Sequence, residues 1–168
     1  GFSVAHFAIT RPERVDKLVL DCMPYWTREE GHQVWERVRT QWLDENGHAK
    51  PFKEWGGMGV RFPHLPPEER QIATDRTGQD MEEHSEWWAN LLWAELDYEI
   101  NDRLDQIQAP TLLINGEDDW HRKGEERVRA GIPGANLVVI PNAGGSPAFE
   151  QPDLYSKAVL SFLRGSLN

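Results

Sequence analysis

The sequence has 168 residues, 39% of them apolar, and sets 18 basic against 28 acidic side chains for a net charge of −10. That length carries one domain with a moderate core, and the composition lies far from that of disordered chains. The acidic balance argues against a nucleic-acid backbone or an anionic membrane as partner. The single cysteine, Cys22, excludes a disulfide framework and a cysteine-based metal site and suits a reducing compartment, the cytoplasm.

The chain opens with Gly1–Val15, which reads as a helix with Phe2, Ala5 and Ile9 on one face, stopped by Pro12. Val15–Asp21 then reads as a strand. Thr27-Arg28-Glu29-Glu30 fits a capping box, followed by Val34, Trp35, Val38 and Trp42 at helical spacing and ended by Asn46-Gly47. Residues 51–67 are rich in Pro and Gly and read as a loop or hinge. Pro67–Arg70 starts a short helix. A stronger one covers Ser85–Asn101, with Trp88, Leu91, Leu92, Leu96 and Ile100 on one face. Leu104 and Ile107 lead into Pro110.

From there the signal sharpens. Thr111–Asn115 and Leu137–Ile140 are short apolar runs flanking a polar helix over Arg122–Ala130, the pattern of a βαβ unit in a parallel sheet. Each run ends in a Gly-containing loop, and loops at the carboxyl ends of parallel strands carry chemistry. Pro152 opens a last helix, whose buried stripe is Tyr155, Val159, Phe162 and Leu163. There is no internal repeat and no phosphate-binding glycine loop. The six histidines, including His121, show no metal-ligand spacing, so no metal is expected.

The two loops, Gly116-Glu117-Asp118-Asp119 and Asn142-Ala143-Gly144-Gly145-Ser146-Pro147-Ala148-Phe149-Glu150-Gln151-Pro152, resemble those of the α/β-hydrolase superfamily. The Arg11-Pro12-Glu13-Arg14-Val15 turn before a strand resembles that superfamily too. The resemblance implies an α/β fold: three C-terminal parallel strands with flanking helices from residues 1–22 and 109–168, and an inserted helical cap over 23–108. It implies that Asp119 stands at the acid position of a Ser-His-Asp triad. Gly145 stands where the triad histidine should be. Natural loss of catalysis, removal by design, or substitution by another histidine, His121 being nearest in sequence, would each account for that glycine.

Gly1-Phe2-Ser3-Val4-Ala5 imitates the Gly-x-Ser-x-Gly nucleophile elbow. An elbow needs a strand before it, and alignment on the Arg-Pro-Glu-Arg-Val turn puts Gly1 just past the nucleophile. Ser3 is therefore expected to be an ordinary helix residue, with the elbow absent. The parent activity would be Ser-dependent hydrolysis of a small, largely apolar ester or amide, with no cofactor. The chain itself is expected to be inactive. The competing expectation is a non-catalytic binding or dimerisation module.

Seven of the eight tryptophans fall in residues 23–108. Trp26 and Trp88 are the candidate contacts for an apolar or aromatic substrate, against the plainer possibility that such rings fill a small core. Of the adjacent Trp87 and Trp88, one should be exposed. The strand at Val15–Asp21 would be left with one open edge, so a homo-oligomer or a missing N-terminal half is the expected partner.

Overall fold

The computed structural model describes residues 1–48, 50–51 and 62–166; within the helix over Ser85–Asp97, the side chains of Ser85, Glu86 and Trp88 lie outside the described residues. The contacts divide the chain into two compact units. One joins Gly1–Tyr25 with Ile100–Asn168, and the other is Trp26–Glu99.

The first unit is a parallel sheet with helices on its faces. Helix α1 (Phe2–Thr10) gives way to a 3-10 turn at Pro12–Arg14, and strand β1 covers Leu18–Asp21. After a second 3-10 turn (Asn101–Gln106) come β2 (Thr111–Gly116), a third 3-10 turn (Trp120–Gly124), α5 (Glu125–Gly131), β3 (Asn136–Ile140), the short α6 (Pro147–Glu150) and α7 (Pro152–Leu163); α2–α4 belong to the second unit. The strand order is β1-β2-β3, with Leu18 beside Thr111 and Leu113 beside Leu137. Central β2 is buried at all six positions, with the apolar run Leu112-Leu113-Ile114 at its centre.

The pleat sorts the side chains. Leu112 and Ile114 face one side with Val19, Val138, Ile140 and Ala143, and α7 closes over them through Tyr155, Val159 and Phe162. Leu18, Leu20 and Leu113 alternate with these residues and are buried. Two polar ties join β1 to α7. Tyr155 OH donates to Asp21 Oδ2 at 3.1 Å, and Lys17 Nζ donates to the terminal carbonyls of Phe162 (2.9 Å) and Leu163 (2.7 Å). A cation at a helix C-terminus meets carbonyls that have no intrahelical partner.

Several sequence expectations need correction here. The strand expected from Val15 begins only at Leu18, because the Val15 N–H closes the 3-10 turn on the Pro12 carbonyl and the chain bends at Asp16 before the ladder starts. The buried face of α1 is Phe2, Ala5 and Ala8, with Ile9 only half-buried. Leu163 is 48% exposed: at the helix end it rotates off the stripe that Phe162 completes.

The second unit is helical. Helix α2 (Arg28–Trp42) starts with the full capping box: Thr27 Oγ1 accepts from the Glu30 N–H, and Glu30 Oε2 accepts from the Thr27 N–H. It ends at Trp42, earlier than Asn46-Gly47, because Asp44 Oδ1 captures the N–H groups of Asn46 and His48 into a turn of its own. Helix α3 runs Pro67–Glu83, far longer than the short helix expected at Pro67–Arg70, and α4 runs Ser85–Asp97. On α4, Ala89 and Leu96 are buried while Leu91 is 40% exposed, so the buried stripe lies to one side of the expected one. Trp87 is exposed, and Trp93 packs its ring against His32 (5.0 Å between centroids) and Trp35 (5.4 Å). The loop or hinge expected over 51–67 lies largely outside the described residues.

Candidate functional site

The loops after β2 and β3 are laced together by their backbones. The N–H of Glu117 donates to Ile140 O at 2.9 Å, and that of Asp118 donates to Ala143 O at 2.9 Å. Glu117 Oε2 accepts from the Asn142 N–H at 3.1 Å, and Gln151 Nε2 donates to Asn142 O at 3.0 Å. Buried Glu150 Oε2 accepts from the Gly144 N–H at 2.6 Å, which fixes the loop just before Gly145. Gly116 sits where any Cβ would run into the carbonyl oxygens of Gly144 and Ala143. Only glycine lets the two loops approach this closely.

That framework separates two neighbouring carboxylates. Asp118 is exposed, whereas Asp119 is 4% exposed. Asp119 caps the Trp120–Gly124 turn: its Oδ1 accepts from the His121 N–H at 3.0 Å, and His121 Nδ1 stands 3.0 Å from the same oxygen. Its Oδ2 is buried and makes no hydrogen bond. Burial pushes the Asp119 carboxyl up, but the His121 ring and N–H, together with the Cys22 thiol, outweigh it and hold the group below the ordinary carboxylate range.

Gly145 faces this carboxylate. A Cβ placed on it would lie 3.6 Å from Asp119 Oδ1 and 4.0 Å from Cγ, with no other atom within 4 Å. The sequence-predicted pair is thus brought together across open space. A buried carboxylate with an unused oxygen is an acceptor for an N–H donor presented from that space.

Sequence reasoning missed a second carboxylate. Asp21 ends β1 at the same carboxyl edge of the sheet. Its Oδ2 accepts from Tyr155, and its Oδ1 is buried without a hydrogen bond. Cys22 follows with φ +47, a left-handed backbone that a non-glycine residue seldom adopts. Burial pushes its thiol well up, and Asp119 and Asp21 push it further, so the sulfur stays protonated as a weak donor between two anions. Burial and Asp21 likewise push Tyr155 up to about 12. The available signal was position: an acidic residue ending an apolar strand of a parallel sheet.

The other candidates lie elsewhere. Ser3 is exposed on α1. Trp26 is half-buried, immediately before the Thr27 cap, and the Trp88 side chain lies outside the described residues. Among the described residues no group of His, Cys, Asp and Glu has the arrangement of a metal site, and no helix is long and apolar enough to cross a membrane.

A parallel sheet whose strand-end loops gather a buried carboxylate opposite a glycine-lined gap defines a hydrolase-like α/β architecture. The comparisons agree with this. Carboxylesterase YbfK of Bacillus subtilis is 28% identical over 171 residues, covering 99% of this chain and 55% of that protein. The crystal structure of a hydrolase from Pseudomonas aeruginosa PA01 superposes with a TM-score of 0.68 at 26% identity, over 95% of this chain and 59% of that one. MenH from S. aureus superposes with a TM-score of 0.73 at 19% identity, over 98% and 64%. No family model matches the chain. The chain has part of the α/β-hydrolase fold, and it spans less than two thirds of the length of these relatives.

Proposed function

We propose that this chain carries the acid side of an α/β-hydrolase site, with Asp119 at the triad-acid position and Gly145 at the position of the usual histidine. The reaction is hydrolysis of a small, largely apolar ester or amide by an activated serine. The carrying observation is the buried Asp119 carboxylate, held by the β2 loop and facing Gly145. Its depressed pKa keeps it charged at neutral pH, as an acid that orients and stabilises an imidazolium must be. The serine and its oxyanion donors come from sequence upstream of Gly1 or from another chain, since Ser3 lies exposed on a helix.

The 168-residue chain by itself should not hydrolyse p-nitrophenyl acetate above buffer. The protein made with the coding sequence upstream of Gly1 should hydrolyse it and react with a fluorophosphonate at one serine. Turnover by the isolated chain that survives Ser3→Ala would put the chemistry elsewhere, and turnover abolished by Ser3→Ala would make Ser3 the nucleophile.

Two observations favour a second reading, a non-catalytic binding or dimerisation module. Glycine cannot take a proton, and β1 has a single strand neighbour among the described residues. An open strand edge seeks a partner. On this reading, light scattering at micromolar concentration gives a dimer of the isolated chain, and a monomer with a cooperative melt refutes it.

A further inference from the structure

Glycine at position 145 does not leave Asp119 without an imidazole. His121 stands two residues further on, in the turn that Asp119 itself caps. Its ring nitrogen Nδ1 and its backbone N–H each lie 3.0 Å from Asp119 Oδ1. The Asp119 side chain is fully shielded while that of His121 is 20% exposed. The Trp120 ring, 4.1 Å away between centroids, narrows the positions the imidazole can take. At 3.0 Å the Nδ1 contact is close but does not meet hydrogen-bond geometry.

The oxygen involved matters. A Cβ at position 145 would approach Oδ1, the atom that His121 already holds.

We propose that His121, oriented by Asp119, is the general base of this site, supplying from the acid's own loop the group that position 145 lacks. This rests on the hydrolase reading above. With the Nδ1 proton directed at the carboxylate, Nε2 carries the lone pair. Nε2 takes the proton of the serine hydroxyl as its oxygen bonds to the carbonyl carbon. It then returns that proton to the departing alkoxide or amine as the bond from carbon to the leaving group breaks. Water repeats the sequence to release the acid and regenerate the serine.

The first test needs no serine. In the isolated chain with 15N-labelled histidine, one of the six rings should be the Nδ1–H tautomer with a far-downfield ring proton. That proton should vanish in His121→Gln and in Asp119→Asn. A His121 ring in the Nε2–H tautomer, indifferent to Asp119→Asn, overturns the proposal. The second test uses the protein with its upstream sequence. His121→Ala should lower kcat by about 10²–10⁴-fold with little change in KM. Adding Gly145→His to His121→Ala should restore part of the loss, because the base is returned to the other side of the same carboxylate. Hydrolysis that ignores His121→Ala overturns the base assignment alone. Absence of hydrolysis in every variant overturns the hydrolase reading and the base assignment with it.

Discussion

The two units bury their apolar residues differently. In the sheet unit, Leu20, Leu112 and Ile114 have no exposed surface, and the central strand is closed on both faces. Exposed large side chains occur in both units, Phe149 at 60% outside the sheet and Trp87 at 64% in the helical unit, but among the described residues the helical unit has no fully buried strand. Among the described residues its buried apolar set is Val38, Leu43, Phe62, Leu65, Met81, Ala89 and Leu96. A central strand covered on both faces has no solvent side, so its residues are apolar or, like Thr111 and Asn115, hydrogen-bonded within the protein. A helix in a thin layer has a wet side, and its aromatics can serve as surface. The sheet unit should therefore answer sharply to small changes, and the helical unit should tolerate larger ones.

The largest effect should come from Gly116→Ala. The added methyl meets loop carbonyls that are themselves tied down, so a loss of about 4 kcal/mol or more is expected in urea titration. The counterpart in the helical unit is Gly31→Ala, whose Cβ would meet the Leu96 carbonyl. Packed helices can shift apart where laced loops cannot, so about 1–3 kcal/mol is expected there. Equal losses would break the contrast.

Next is Leu112→Ala, expected to cost about 2–5 kcal/mol against no more than about 0.5 kcal/mol for Trp87→Ala. A large loss at Trp87 would mean that this exposed ring is covered in solution.

The third test is pH. Asp119 is held below its ordinary value, so its stabilising contribution is present above the unfolded carboxyl's pKa, about 3.9, and is lost as pH falls through the lower folded value. Asp119→Asn should be less stable than the parent at pH 7, and the two should converge in acid. A gap that persists at the lowest pH would show that the amide acts sterically rather than through charge.

A modest local effect is expected for Thr27→Ala, about 1 kcal/mol for the lost cap, with most of it kept in Thr27→Ser.

What was legible follows the same divide. The β2 run, its glycine loop and the buried Asp119 could be read because a fully buried strand and a close loop approach leave little choice of residue. The capping box was legible because it is local. Leu91 and Leu163 were assigned to buried stripes and are exposed, since helical spacing fixes which residues share a face but not how the helix is rolled. The length of α3 was missed because its buried residues include a glycine, Gly78, beside Met81, which leaves little apolar stripe to see. The contact between His121 and Asp119 depends on a change from extended backbone at Asp119 to a 3-10 turn, which residue spacing does not report. Asp21 and Cys22 approach Asp119 only through strand pairing.

The ties between β1 and α7 bear on how the protein is made. Asp21 and Tyr155 are 134 residues apart, and Lys17 and Phe162 are 145 apart. On the ribosome the segment around Leu18 emerges well before its strand partner β2 and the helix α7 that clasps it. Until then an apolar strand waits without its ladder. Contacts this distant in sequence make folding slow and keep such intermediates prone to association. Nascent chains halted before α7 should therefore be captured by chaperones, and release of the completed chain should coincide with protection of the Leu18–Asp21 amides from exchange.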